Sequence, residues 1–305
     1  MPAHEVWEAQ RERSNPRTLR LVIWLALHLG RTFTRLLLYP IVAYFLLTGG
    51  EPARASRSFL RQALGREPTL IDRARHWYTF AAVVLDRVFL LGDRSQYFAV
   101  QVEQENLVLE AARQGRGAVL LVSHFGSFEV LRAISQREPA LSLRIVVDRE
   151  HGAMLTQLLE ALNPALAAAV IDASQRGPQL ALVLKDALDH GDVLGMMGDR
   201  AYASERTVPV RFMNRAAQLP ENPWILASVL QVPVFLAFGI YDGGNRYRIR
   251  FERLAERVVL PRANRTAAVN GYAQAYADRL EAQVRAAPYN WFNFFDFWTD
   301  ETAAD

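Results

Sequence analysis

At 305 residues, 51% hydrophobic and 22% charged, the chain is long enough for a sizeable core and too apolar to be disordered. It contains no cysteine, which excludes disulfides, thiolate metal sites and a cysteine nucleophile. The net charge is only +3, and thirty-four arginines against the single Lys185 read as the imprint of a GC-rich genome, so the high pI is no sign of a nucleic-acid binder.

Charge is unevenly spread. Residues 1–66 hold ten arginines and four glutamates, +6 in all, and the remainder carries −3. The polar first sixteen residues end at Asn15-Pro16. Leu19 to Leu29 is then almost wholly apolar, 30–35 interrupts it, and Leu36 to Leu47 resumes with Pro40 inside. Neither run reaches the ~20 residues of a bilayer span, and no small-residue cleavage site follows the first. Three arrangements fit: a helical hairpin packed on the core, a kinked single span, or a monotopic helix in the membrane interface. Arg11, Arg13, Arg17, Arg20, Arg31 and Arg35, with Trp24 and Tyr39, suit anionic headgroups, so membrane association is expected. Residues 1–50 are read as this hydrophobic segment and 51–305 as an α/β domain.

Residues 52–92 read as helical, with a capping sequence Thr69-x-x-Asp72 before the stripe Trp77, Phe80, Val84, Val88 and Leu91. Asn106 to Arg113 is a short helix. Ala118 to Val122 is an unbroken apolar run, read as a buried strand. The chain then turns through Ser123-His124-Phe125-Gly126-Ser127 into an expected helix, with Ser127 as N-cap and Glu129 in its first turn. A histidine thus follows the carboxyl end of a strand, where open α/β sheets bind ligands. The corner folds Glu129 back toward His124, and a carboxylate on one imidazole nitrogen makes the other a general base.

Beyond this corner strands and helices alternate: strands over 143–147, 168–171 and 193–197, helices over 154–162 and 179–189. Residues 208–212 are extended, 224–230 helical, and 234–240 pairs with 247–251 as a hairpin across Asp242-Gly243-Gly244-Asn245. A last helix covers about 266–285. The fold class is therefore α/β, a mixed sheet flanked by helices on both faces behind an N-terminal hydrophobic helical region. Asp148-Arg149 and Asp199-Arg200 follow two of the strands, and an arginine there suits a phosphate or carboxylate. Substrate binding is accordingly assigned to Arg149, Asp199, Arg200 and Ser127, with Arg200 favoured over Arg149. The tail, 289–298, packs seven aromatics into ten residues. It either covers the core, lines an acyl pocket or meets the bilayer. No G-x-S-x-G, post-strand G-x-G-x-x-G or P-loop occurs, and the six histidines lack metal-ligand spacing, so no metal is assigned.

His124-Phe125-Gly126-Ser127-Phe128-Glu129 resembles the H-x4-D/E motif of the lysophospholipid (glycerolipid) acyltransferase superfamily. The Glu form, the arginine-rich apolar N-terminus and the length resemble its bacterial lipid A late-acyltransferase branch, the lauroyl and myristoyl transferases. Gly198-Asp199-Arg200 falls at the third block of that superfamily, and Leu219-Pro220 through Val232-Pro233-Val234 resembles the fourth. The likeness spans residues 17–255. It implies that His124 and Glu129 are catalytic, moving an acyl chain from an acyl thioester to a hydroxyl of a lipid or glycolipid acceptor. It further implies an acyl carrier protein or CoA thioester as donor and co-substrate, no other cofactor, no nucleic acid, and a site at the cytoplasmic face of the inner membrane. Free N–H groups after Ser127 would stabilise the oxyanion. The E-G-x-R block of the glycerophosphate enzymes is absent. The Trp291-Phe292-Asn293-Phe294 tail is more like acyltransferases of aryl-polyene or pigment-lipid pathways. A non-catalytic lipid-binding protein and a thioesterase using the same histidine are the rival readings.

Overall fold

The computed structural model describes residues 16–138, 141–148, 153–174, 178–202 and 205–299. Four helices lead: α1 (Pro16–Leu36), α2 (Leu38–Thr48), α3 (Gly50–Leu64) and α4 (Leu70–Leu91). The start of α4 follows from the sequence. Thr69 Oγ1 accepts from Asp72 N, and the Asp72 carboxylate accepts from Thr69 N at 2.8 Å, a reciprocal capping box. Next come β1 (Ala99–Glu103), α5 (Asn106–Arg113), β2 (Ala118–Val122), α6 (Arg132–Ser135), β3 (Leu143–Val147), α7 (Ala153–Leu162), α8 (Pro164–Ala168) and β4 (Ile171–Asp172). The chain continues through α9 (Pro178–Asp189), β5 (Val193–Met197), β6 (Thr207–Phe212), β7 (Arg215–Pro220), α10 (Asn222–Leu230), β8 (Val234–Gly243), β9 (Arg246–Ala255) and α11 (Arg265–Ala286).

Among the described residues seven strands form one sheet in the order β1-β9-β8-β2-β5-β3-β4, and β6-β7 form a separate hairpin. Every neighbouring pair in the large sheet is parallel except β8 and β9. The sheet is mixed, as the sequence predicts. The central strands read as unbroken apolar runs because both faces are covered. On one face Val119 and Leu121 pack with Leu184, Trp224 and Tyr276, from α9, α10 and α11. On the other, Leu120 and Val122 pack with Val88, Leu109 and Ile134, from α4, α5 and α6.

One predicted strand is misplaced. Residues 168–171 close helix α8 and open the two-residue β4 instead. Asn163 Oδ1 accepts from Leu166 N at 3.0 Å, and Pro164 sits at the first helical position, so the alanine-rich stretch starts as a helix.

The N-terminal helices are docked on the sheet by buried charge. Arg31 holds the fully buried Asp86 of α4 through two hydrogen bonds of 2.7 and 2.8 Å, and Tyr247 of β9 donates to the same carboxylate at 2.9 Å. Arg35 lies 3.7 Å from Asp86 and bonds Tyr241 and Gly244 O. Burial pushes the Asp86 carboxyl up, against the pull of Arg31. Arg31 and Arg35 are therefore turned into the protein rather than out to headgroups. Arg11 and Arg13 lie outside the described residues. What faces outward is apolar: Phe33 is 67% exposed, Leu47 86% and Ile71, at the start of α4, 79%. Among the described residues no helix is long and apolar enough to cross a membrane.

Candidate active site

The register of two parallel strands builds the centre of the site. Val122 at the end of β2 pairs with Met197 at the end of β5. Two residues beyond each, His124 and Asp199 stand opposite one another. His124 Nδ1 lies 2.9 Å from Asp199 Oδ1, and the His124 main-chain N–H donates to Oδ2, also at 2.9 Å. This two-point grip fixes both the loop and the ring. With Nδ1–H donating to Asp199, the free lone pair is on Nε2.

The turn that carries His124 is pressed against other backbone. Gly126 adopts φ +61°, Ser127 N donates to Gly239 O of β8 at 2.8 Å, and Gly126 N donates to Asn290 O at 2.7 Å. A Cβ on Gly239 would lie 1.8 Å from Ser127 O, and one on Gly126 would lie 1.9 Å from Gly239 O. Glycine is required at both positions by close approach. Gly239→Ala should consequently destabilise the protein by about 3 kcal/mol or more and lower acyl transfer with it. Urea denaturation beside a transfer assay checks this; wild-type stability would contradict the packing described.

The aromatic tail closes the turn from the other side. Phe292 N donates to His124 O at 3.0 Å, and Trp291 bridges Phe125. The Asn290 side chain pairs with both main-chain groups of Tyr241 in β8. Trp298 Nε1 donates to Phe212 O at 2.9 Å. Trp291, Phe292, Phe295, Phe297 and Trp298 are buried, so the tail covers the core and straps the site.

His76 of α4 anchors that strap. It is buried between Ser56 Oγ at 2.8 Å and Trp291 O at 2.9 Å, with the Phe294 ring stacked on it. Burial depresses its pKa from 6.5 to about 4. The unfolded chain takes up this proton at higher pH than the folded one, so stability is lost as pH falls through this window. At about 1.4 kcal/mol per pH unit the loss from His76 approaches ~3 kcal/mol. Urea denaturation at pH 4.5 and 7 should show this loss, and His76→Gln should flatten the dependence.

Glu129 is not the carboxylate on His124. The expected helix at Ser127 begins later, as a 3-10 turn over Glu129–Leu131 before α6. With Ser127 tied to β8, the Glu129 side chain is directed to α4, where it pairs with Arg87 Nε. Its other oxygen accepts from Ser127 Oγ at 2.8 Å. Ser127 is fully buried and spent on that bond, so it is no N-cap and offers no hydroxyl to a ligand. Arg200 donates from Nη2 to Phe292 O at 2.7 Å, and its guanidinium lies 5.0 Å above the Phe295 ring. Arg149 lies outside the described residues.

Electrostatics suit a base. Burial lowers the His124 pKa, and the Arg200 and Arg87 charges lower it further, against the upward pull of Asp199. The side chain nevertheless keeps 35% of its surface exposed. Burial works to raise the Asp199 pKa, but His124 and Arg200 outweigh it and hold it at about 2. The pair at neutral pH is therefore an uncharged imidazole on a carboxylate, able to take a proton at Nε2.

The model of the bacterial lipid A biosynthesis acyltransferase family matches residues 62–299. The chain belongs to that family. No curated protein matches it. Membership makes the protein an acyltransferase of lipid biosynthesis. The match takes in His124, Glu129, Asp199 and the aromatic tail, and it begins after α1 and α2. For this acyltransferase, sequence reasoning gave Asp199 to substrate binding and passed over Arg87. The available signal was the equal offset: His124 and Asp199 each stand two residues after a five-residue apolar run, so pairing those runs in parallel sets the two side chains together. Nothing comparable in the sequence points to Arg87.

Proposed function

We propose that the protein transfers a fatty acyl chain from an acyl thioester, carried by acyl carrier protein or CoA, to a hydroxyl of a lipid or glycolipid acceptor at the inner membrane. The observation that carries this reading is the His124–Asp199 pair at the carboxyl ends of β2 and β5. His124 Nε2 removes the proton of the acceptor hydroxyl as its oxygen attacks the thioester carbonyl. Asp199 stabilises the imidazolium so formed. The tetrahedral intermediate expels the thiolate, which takes the proton back from Nε2. An ester and a free thiol result, and no acyl-enzyme is needed.

The exposed apolar side chains of α1, α2 and the start of α4 support attachment to the bilayer surface that holds such an acceptor. Attachment is read as peripheral or monotopic at the cytoplasmic face. Arg200, beside His124 but partly committed to the tail, is the favoured contact for a phosphate of the donor or acceptor.

The test incubates purified protein with labelled acyl-ACP or acyl-CoA and lipid acceptors, including a lipid A-type glycolipid. Label should move into lipid. Label appearing only as free fatty acid would mean a thioesterase using the same base, and no turnover with any acceptor would favour a lipid-binding protein.

A further inference from the structure

Catalysis by this base needs a donor for the thioester oxygen, and two amides of the turn are already committed. Gly126 N–H and Ser127 N–H already donate to Asn290 O and Gly239 O. The segment beyond is a three-residue 3-10 turn and a four-residue helix, too short to offer a helix terminus.

Arg87 of α4 has the complementary character. Its Nε is held by Glu129, whose side chain is fully buried and whose second oxygen is fixed by Ser127. A carboxylate held at both oxygens holds the guanidinium in turn. The Arg87 side chain nonetheless remains 25% exposed, and its guanidinium lies 5.9 Å from the Phe128 ring centre, within the His124 turn. Among the described residues its Nη groups have no hydrogen-bond acceptor. Arg87 also acts electrostatically on His124 from α4, as Arg200 and Asp199 do from the loop after β5.

We propose that Arg87 is a further residue of the acyl-transfer site, binding an anionic oxygen of the acyl donor through its Nη groups, with Glu129 as the positioning residue that aims it. This rests on the acyltransferase reading above. It gives the glutamate of the H-x4-E segment a task other than orienting the histidine. The anionic oxygen is either the oxyanion that develops on the thioester carbonyl or a phosphate oxygen of the carrier arm, and kinetics separates the two.

The experiment measures steady-state transfer by the full-length protein while the acyl-ACP or acyl-CoA concentration is varied, for wild type, Arg87→Gln, Arg87→Lys and Glu129→Gln. Arg87→Gln should lower kcat/KM by about 100-fold or more. A loss in kcat identifies the oxyanion and a rise in KM identifies the phosphate. Arg87→Lys should recover part of the loss, and Glu129→Gln combined with Arg87→Gln should cost little more than Arg87→Gln alone. Removing the Arg87 charge should raise the His124 pKa and move the acid limb of the pH–rate profile to higher pH. Wild-type kcat, KM and acid limb in Arg87→Gln, with only the melting temperature lowered, would overturn the proposal and leave Arg87 a structural partner of Glu129. Should Arg87→Gln fail to fold, wild-type kcat and KM in both Arg87→Lys and Glu129→Gln would overturn it equally. His124→Ala is run beside them. If it retains transfer, the acyltransferase mechanism itself fails; if it is inactive while the Arg87 variants behave as wild type, only this inference does.

Discussion

His124→Ala should abolish acyl transfer and leave a folded protein. With Nδ1 on Asp199, the imidazole at the carboxyl end of β2 has Nε2 left to accept a proton. The structural cost is modest because the ring is partly exposed and the main-chain N–H still donates to Asp199 Oδ2. Losing the ring leaves one oxygen of a buried carboxylate short of a partner, a penalty of about 1–3 kcal/mol. Circular dichroism and thermal melting report the fold, and the labelled-donor assay reports transfer. Residual transfer near the wild-type rate would remove His124 from the mechanism.

Asp199→Asn and Glu129→Gln should separate two carboxylates that the motif alone does not distinguish. An asparagine at 199 can still accept from His124 N through its carbonyl, but its amide then faces Nδ1 and donates to it. That forces the proton onto Nε2 and blocks the base, so kcat should fall by about 10³–10⁴-fold with the fold retained. Glu129→Gln touches no atom of His124. It weakens the buried pair with Arg87, costing about 2 kcal/mol, less than the ~3–5 kcal/mol of a fully buried pair because Arg87 is partly exposed. Its kinetic effect should be nearer 100-fold, through the aim of Arg87. A larger loss of kcat from Glu129→Gln than from Asp199→Asn would return the orienting role to Glu129.

These two carboxylates also show how far the sequence could be read. The strand, the turn and His124 at its end were legible because a five-residue apolar run followed by a glycine turn allows few arrangements. The mixed sheet and the capping box at Thr69 were legible for similarly local reasons. Partnership was not. Whether Glu129 or Asp199 meets His124 depends on which strand lies beside β2, and Gly239 draws the turn onto β8 from more than a hundred residues away. That the tail covers the core was among the readings of the sequence, but its strapping of the turn was hidden: it meets His124, Gly126 and Arg200 through its own main-chain groups, which leave no residue-type signature. Arg31 and Arg35 were read by their flanking of an apolar run, whereas a buried Asp86 on another helix decides where they point.

Whether His124 is the base of an acyltransferase is decided by lipid mass spectrometry of cells producing the wild-type protein or His124→Ala at matched levels. An acylated lipid present with the wild type and lost with the variant is the predicted result, and its mass names both the acyl chain and the acceptor. Identical lipid profiles, with both proteins folded and equally abundant, would contradict the assignment of His124 as the base of an acyltransferase.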